Sequence, residues 1–314
     1  MSRILVTSPL PGDGKTVVTA GLAHALRRSG EAAAPPTVRA VRLPGGDSAA
    51  ADAATLARLQ GVRASGQPED APPSDADIAV VEVPDPAACP GLRDAATTVL
   101  LVTRYREADD DTLARAAAAA GADGLVVNAL PTGPSQGAGL AEADRLAALL
   151  GLPLLAALPQ DRLLSAPLVD AMARAIDGEL GGDAGLWGEA AEWLQVGPIS
   201  AHGGIDHFSR YPDKSVITRN DKVDVALAAL DAEPLCLILS GGAPNLPYIA
   251  QRAEQEQFAL ITTPLDTPQA VDRIGALYGH APFAGDRKLR RAADLVAACD
   301  GLLTALGAAA APSG

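Results

Sequence analysis

Short aliphatic runs alternate with amphipathic stretches along the first half of the chain. The first run, Ile4 to Thr7, is β-branched and aliphatic and reads as a buried parallel strand. Beyond a Pro- and Gly-rich break, Val18, Leu22, Ala25 and Leu26 fall on one face of a helix. Further strands are expected at residues 37–43, 77–83, 99–103, 124–128 and 154–158. Helices are expected at 109–120, with acids in its first turn, and at 140–150. Leu168, Met172 and Ile176 share a helical register, with Ser165 as the N-cap and Pro167 in the first turn. Residues 63–76 are rich in proline, serine and acids and read as a surface loop. This alternation predicts an α/β fold, a parallel sheet covered by helices on both faces, with ligands at the carboxyl ends of its strands.

Gly181 and Gly182, with residues 183–185, mark a crossing, after which the alternation resumes. Strands are expected at 214–218, 235–239 and 258–262, and helices at 221–230, from Pro247, and from Asp266-Thr267-Pro268. A long helix at 286–306 and a frayed tail at 308–314 close the chain. The expected organisation is a first domain at 1–182, a connector at 183–195, and a smaller α/β domain at 196–307. Trp187 and Trp193 fall within that connector and are expected to pack the junction.

Composition narrows the class. At 314 residues there is room for two cores, and 48% hydrophobic against 20% charged residues suits a globular protein. A net charge of -13 argues against nucleic acid or an anionic membrane as partner. The basic cluster Arg287, Lys288, Arg290 and Arg291 is expected on the solvated face of the last helix. Cys89, Cys236 and Cys299 show neither metal nor redox spacing. With no signal-peptide pattern and no membrane-length apolar run, the expected compartment is the reducing cytoplasm.

Candidate chemistry gathers after the first strand. Gly12, Asp13, Gly14, Lys15, Thr16 and Val17 lead from a glycine loop into a helix, the arrangement of a phosphate-binding loop. Backbone N–H groups and the helix dipole face an anion there. Lys15 would reach the outer phosphates, and the Thr16 hydroxyl would hold Mg²⁺. Pro9 stands where the usual G-x-x-x-x-G-K-[ST] pattern has its first glycine, and an ordinary β–α turn is the alternative. Glu82 closes a central strand and is a second candidate Mg²⁺ ligand, against a solvated residue at a loop mouth. Asp161 and Arg162 form a local salt bridge or lie near the phosphates. In the second domain the turns 218–221, 240–242 and 263–266 leave strand ends on one edge. They form either a small anion pocket with Arg219 or plain caps and turns. His202, Asp206 and His207 lack the further ligand that a metal site wants.

In order, the loop 7–16, the strand ending Val81-Glu82, Leu125-Val126-Val127-Asn128 and the stretch 158–167 resemble dethiobiotin-synthetase-like P-loop proteins. The nearest likeness is to the non-catalytic N-terminal region of long-form phosphotransacetylases and their stand-alone relatives. Residues 215–225, 237–242 and 263–267 are similar to the DRTGG domain that follows in that group. The resemblance implies ATP–Mg²⁺ on the loop, with Asn128 recognising adenine, Thr16 and Glu82 on the metal, and a homodimer. It implies a regulatory or sensor protein, at most a slow ATPase, working with a metabolic enzyme. Two departures argue against dethiobiotin synthesis. Val83-Pro84-Asp85-Pro86 replaces a glycine-rich run, and Arg42 replaces a substrate-binding lysine. An ATP-dependent carboxylate-activating ligase or amidotransferase is the alternative, and a module whose loop no longer binds nucleotide is a third.

Overall fold

The computed structural model describes residues 2–28, 37–45, 49–59, 68–73, 76–197, 204–242 and 247–306. Its contacts divide the chain into two compact units, 1–161 joined by 289–314, and 162–288.

The first unit runs β1 (Ser2–Thr7), α1 (Lys15–Arg28), β2 (Val38–Arg42), α2 (Ala49–Leu59), β3 (Ile78–Glu82), α3 (Cys89–Leu92), β4 (Thr97–Arg104), α4 (Asp110–Ala120), β5 (Gly124–Leu130), α5 (Gln136–Leu150) and β6 (Leu154–Pro159). Six strands form one sheet in the order β2-β3-β1-β4-β5-β6, every neighbouring pair parallel. The chain goes to one side of β1 for β2 and β3 and to the other for β4 onward. The carboxyl end of β1 is therefore the point where the winding reverses, the usual place for a ligand crevice. Val18, Leu22 and Leu26 of α1 are buried, as their spacing predicts. Each such side chain contributes about 1.5–3 kcal/mol on removal from water. Helix α4 is capped by Asp109, whose carboxylate accepts from the Thr112 N–H, and ends at Gly121 with φ 59°.

The second unit runs α6 (Arg162–Ser165), α7 (Val169–Ala175), β7 (Glu179–Gly182), β8 (Trp193–Val196), α8 (Gly204–Phe208), β9 (Lys214–Arg219), α9 (Val223–Leu230), β10 (Cys236–Ser240), α10 (Pro247–Gln255), β11 (Ala259–Thr262) and α11 (Thr267–Gly275). Its five-stranded sheet has the order β7-β11-β10-β9-β8, with β7 alone antiparallel. Asp266 caps α11 and Pro268 sits in its first turn.

Helix α12 (Asp286–Ala297) starts in the second unit and continues into the first, followed by α13 (Asp300–Ala305). A Cβ on Gly21 of α1 would lie 2.6 Å from Val296 Cγ2 and 2.7 Å from the Ala292 carbonyl. Only glycine lets α1 and α12 approach so closely.

Several expectations are corrected. The division falls after Asp161, not after residue 182, because α7 and β7 pack in the second sheet's unit. Gly181 and Gly182 are strand residues, paired with Leu260 and Ala259. Ser165 ends α6, and Leu168 is the N-cap of α7. The expected single helix at 286–306 breaks at Ala298-Cys299. The tryptophans sit inside the second unit. Trp187 donates to the Gly181 carbonyl at 3.3 Å, and Trp193 stacks on Tyr211 with ring centroids 4.2 Å apart. The basic cluster is solvated only in part: Arg290 and Arg291 are exposed, whereas Lys288 is fully buried with its ammonium on the Pro282 carbonyl. Asp161 pairs with Arg291 at 2.6 Å, while Arg162 lies 3.8 Å over the Trp193 ring. The tail 308–314, half of the loop 63–76 and His202 lie outside the described residues. Among the described residues, no helix is long and apolar enough to cross a membrane.

Candidate functional site

The loop between β1 and α1 is built around two glycines in left-handed conformation, Gly12 at φ 86° and Gly14 at φ 99°. At Gly14 the requirement is double, because a Cβ there would also lie 2.0 Å from Asn128 Nδ2. The Asn128 amide donates to the Asp13 carbonyl at 3.0 Å, so the end of β5 meets the loop backbone. Asp13 is buried, and its carboxylate accepts from the backbone N–H groups of Leu10 (3.0 Å) and Arg104 (3.2 Å). That side chain braces the loop against β4 rather than offering itself to a ligand. Burial holds its carboxyl above the ordinary range despite those two donors.

Lys15 opens α1, and its ammonium donates to Ser8 Oγ at 2.6 Å and reaches the Leu10 carbonyl at 3.5 Å. Desolvation lowers its pKa, and the Glu82 carboxylate opposes that shift. The first backbone N–H groups of α1 have no acceptor within the helix, so the loop and helix start present donors together.

Thr16 and Glu82 meet, the hydroxyl donating to Glu82 Oε1 at 3.2 Å. A third side chain lies there too. Arg42 of β2 is the register partner of Glu82 on β3, and its guanidinium donates to the same Oε1. The Arg42 fork also lies 3.5 Å from Asp52 of α2 and donates to the Gly45 carbonyl at 2.9 Å. Arg42 is 4% exposed and Glu82 1%. Glu82 Oε2 and Arg42 Nε have no hydrogen-bond partner among the described residues.

This arrangement tests the two groups that the resemblance implies. A polyphosphate fits a loop with two left-handed glycines, Lys15 and a helix start. A divalent ion on Thr16 and Glu82 does not fit. It would sit beside a buried guanidinium, where like charges 4 Å apart repel by about 4 kcal/mol per unit of charge at an effective dielectric constant of 20. Among the described residues no group of three or more His, Cys, Asp or Glu side chains is placed to hold a metal.

Burial pushes the Glu82 carboxyl up to about 7 from an ordinary 4.5, outweighing the pull of Arg42. A carboxyl raised on folding favours the native state below its unfolded pKa, and that contribution is lost as pH rises through the folded pKa. Stability is expected to fall between about pH 4.5 and 7, by on the order of 2 kcal/mol. Urea unfolding at pH 5 and pH 8 measures this, and Glu82→Gln should flatten the difference.

In the second unit β9, β10 and β11 do bring their following turns to one edge. The turns are stitched to one another. Asn220 N donates to the Ser240 carbonyl at 2.8 Å, Gly241 N to Leu265 at 2.8 Å and Gly242 N to Thr263 at 3.1 Å. Ser240 Oγ reaches the Thr218 carbonyl at 3.2 Å and Thr267 Oγ1 at 2.7 Å, and Thr263 Oγ1 donates to the Ile176 carbonyl. Arg219 pairs with Asp221 at the surface. These contacts favour the caps-and-turns reading over a pocket lined by free hydroxyls.

Comparison with known proteins bears on the same region. The DRTGG domain family matches residues 172–277. The second unit carries a DRTGG domain. Its match begins within α7, ahead of residue 196, and takes in β7 and β8. A solved structure of the CBS and DRTGG domains of the regulatory region of Clostridium perfringens pyrophosphatase, complexed with its activator diadenosine tetraphosphate, aligns at 16% identity. That alignment has a TM-score of 0.33 and covers 40% of this chain and 56% of that one, so this chain spans just over half of its length. An archaeal fructose-1,6-bisphosphate aldolase aligns at 14% identity, with a TM-score of 0.20, over 89% of this chain and 99% of that one. TM-scores this low carry no inference about ligand or activity beyond the DRTGG match itself.

Proposed function

We propose that the protein is a nucleotide-binding regulator in which the Gly12–Val17 loop takes ATP and the DRTGG domain passes its occupancy to a partner. What carries the reading is the juncture of Gly12, Gly14, Lys15 and the start of α1 at the carboxyl end of β1, where the winding of the sheet reverses. Asn128 stands beside the loop, with its Oδ1 and second N–H left to read a base edge. Ligand binding shifts a protein between states only by its difference in affinity for them, and loop ordering around phosphate supplies such a difference. The partner in this reading is a metabolic enzyme, the assembly a homodimer, the compartment the cytoplasm, and ATP turnover at most slow. The magnesium ion of the resemblance is left out of the reading, because Arg42 and the Thr16 hydroxyl both donate to Glu82 Oε1, the oxygen that would have to hold it.

The carboxylate-activating alternative needs Arg42 to receive an acid substrate. Its guanidinium is engaged by Glu82, Asp52 and Gly45 and is buried, which disfavours that role. The test of the main reading is thermal or urea unfolding with ATP. Nucleotide at one hundred times its dissociation constant should add about 2.7 kcal/mol. Lys15→Ala should remove that gain while leaving the unliganded stability close to wild type. Superimposable unfolding curves for wild type with and without ATP would discard the proposal in favour of a loop that no longer binds nucleotide.

A further inference from the structure

The cluster beside the loop has a composition of its own. Two carboxylates, Glu82 and Asp52, and one hydroxyl, Thr16, converge near the start of α1, as they would around a cation. The charge among them belongs to the chain. Arg42 contacts both carboxylates, and its second nitrogen is tied to the Gly45 carbonyl at 2.9 Å. The parallel register of β2 on β3 puts Arg42 opposite Glu82, so this placement is fixed by the sheet and not by a mobile side chain. At 4% exposure the guanidinium has little room to swing into solvent. It cannot lose its proton in a protein, so the charge is permanent.

We infer that Arg42 is a built-in substitute for a divalent cation, and that the loop therefore takes ATP as the free anion rather than as its magnesium complex. The inference rests on the nucleotide reading above and specifies the ionic form of its ligand. Arg42 donates to Glu82 and Lys15 opens the helix whose Thr16 donates to the same carboxylate, so the cationic side of the site is supplied by side chains. A magnesium–ATP complex would bring a divalent charge to a place already neutralised, whereas free ATP brings only anionic oxygens. Thr16 is left as a donor to Glu82 rather than as a metal ligand.

Binding of a fluorescent ATP analogue, measured in EDTA and in excess magnesium, tests this directly. Wild-type affinity should differ by less than about threefold between the two conditions, whereas a metal-requiring loop loses about tenfold or more in EDTA, each tenfold being 1.4 kcal/mol. Arg42→Gln removes the resident charge and exposes the two carboxylates to a cation. Its ATP binding should become magnesium-dependent, tightening by about tenfold or more when the ion is added. Glu82→Gln, with Arg42 intact, keeps an acceptor for Thr16 and serves if Arg42→Gln does not fold. Its affinity ratio between EDTA and magnesium should stay near one. Wild-type protein that binds the analogue only with magnesium would overturn the inference and leave the nucleotide reading standing. Wild-type protein that binds it in neither condition would remove both.

Discussion

Glu82→Ala is expected to lower the unfolding free energy by about 3 kcal/mol, the lower end of the cost of breaking a buried ion pair. The reason lies in what remains. Arg42 stays charged and 4% exposed after its main partner has gone. Asp52 at 3.5 Å and the Gly45 carbonyl at 2.9 Å hold it in part, which is why the upper end of the range does not apply. Thr16 loses its acceptor as well. Glu82→Gln, which keeps the shape and one acceptor oxygen and is neutral like the carboxyl that burial favours, should lie within about 1 kcal/mol of wild type, the scale of a single hydrogen bond. Replacing both members, Arg42→Met with Glu82→Leu, should recover most of the loss, because a buried pair exchanged for apolar side chains is near neutral. Urea unfolding of the three variants at pH 8 decides the matter. A single alanine variant within experimental error of wild type would mean that the guanidinium has no need of Glu82.

Gly182→Ala is the second large effect, and it acts on the DRTGG domain. Gly182 lies at φ 68°, where an L side chain is strained, by about 1–2 kcal/mol. A Cβ there would lie 2.3 Å from the Phe258 carbonyl oxygen and 3.2 Å from the Leu260 N. Both are backbone atoms and cannot rotate away, and overpacking of this kind adds about 1–3 kcal/mol. The combined expectation is a loss of about 2–5 kcal/mol. Hydrogen exchange locates it. Amides of β10 and β11 should exchange faster, and those of β1 and β4 should keep their protection. If the loss appeared in β1 and β4 instead, β7 would not be part of the second unit's sheet.

Much of this architecture is legible in the sequence where an element carries its own signal. The runs beginning at Ile4, Val99 and Gly124 became buried strands, and Val18, Leu22 and Leu26 marked the inner face of α1 before any contact was known. Helix α2 went unforeseen because its buried side chains include Ala53, Thr55 and Leu56, too small or too polar to show a stripe. Strand β7 reads as a turn, since its two glycines answer to the close backbone of β11, a partner far along the chain. The glycine loop between β1 and α1 was visible as Gly14, Lys15 and Thr16. Its surroundings were not, because the ion pair of Arg42 with Glu82 depends on β2 lying beside β3, an order that periodicity does not state. Asp13 shows the same limit: it stood among the loop residues, and only the fold reveals that its carboxylate holds Leu10 and Arg104.

The chain leaves the first unit after Asp161 and re-enters it at Leu289, where α12 settles against Gly21 and a Cβ on Gly301 of α13 would lie 3.5 Å from the Leu155 carbonyl. During synthesis the intervening DRTGG domain is therefore complete before the unit that began first can close. A nascent chain paused before α12 would carry every loop residue from Gly12 to Val17 and still lack the helix that covers α1. The fold of the first unit is thus completed only by residues from 289 onward, and removing α12 would uncover α1 in the amino-terminal half.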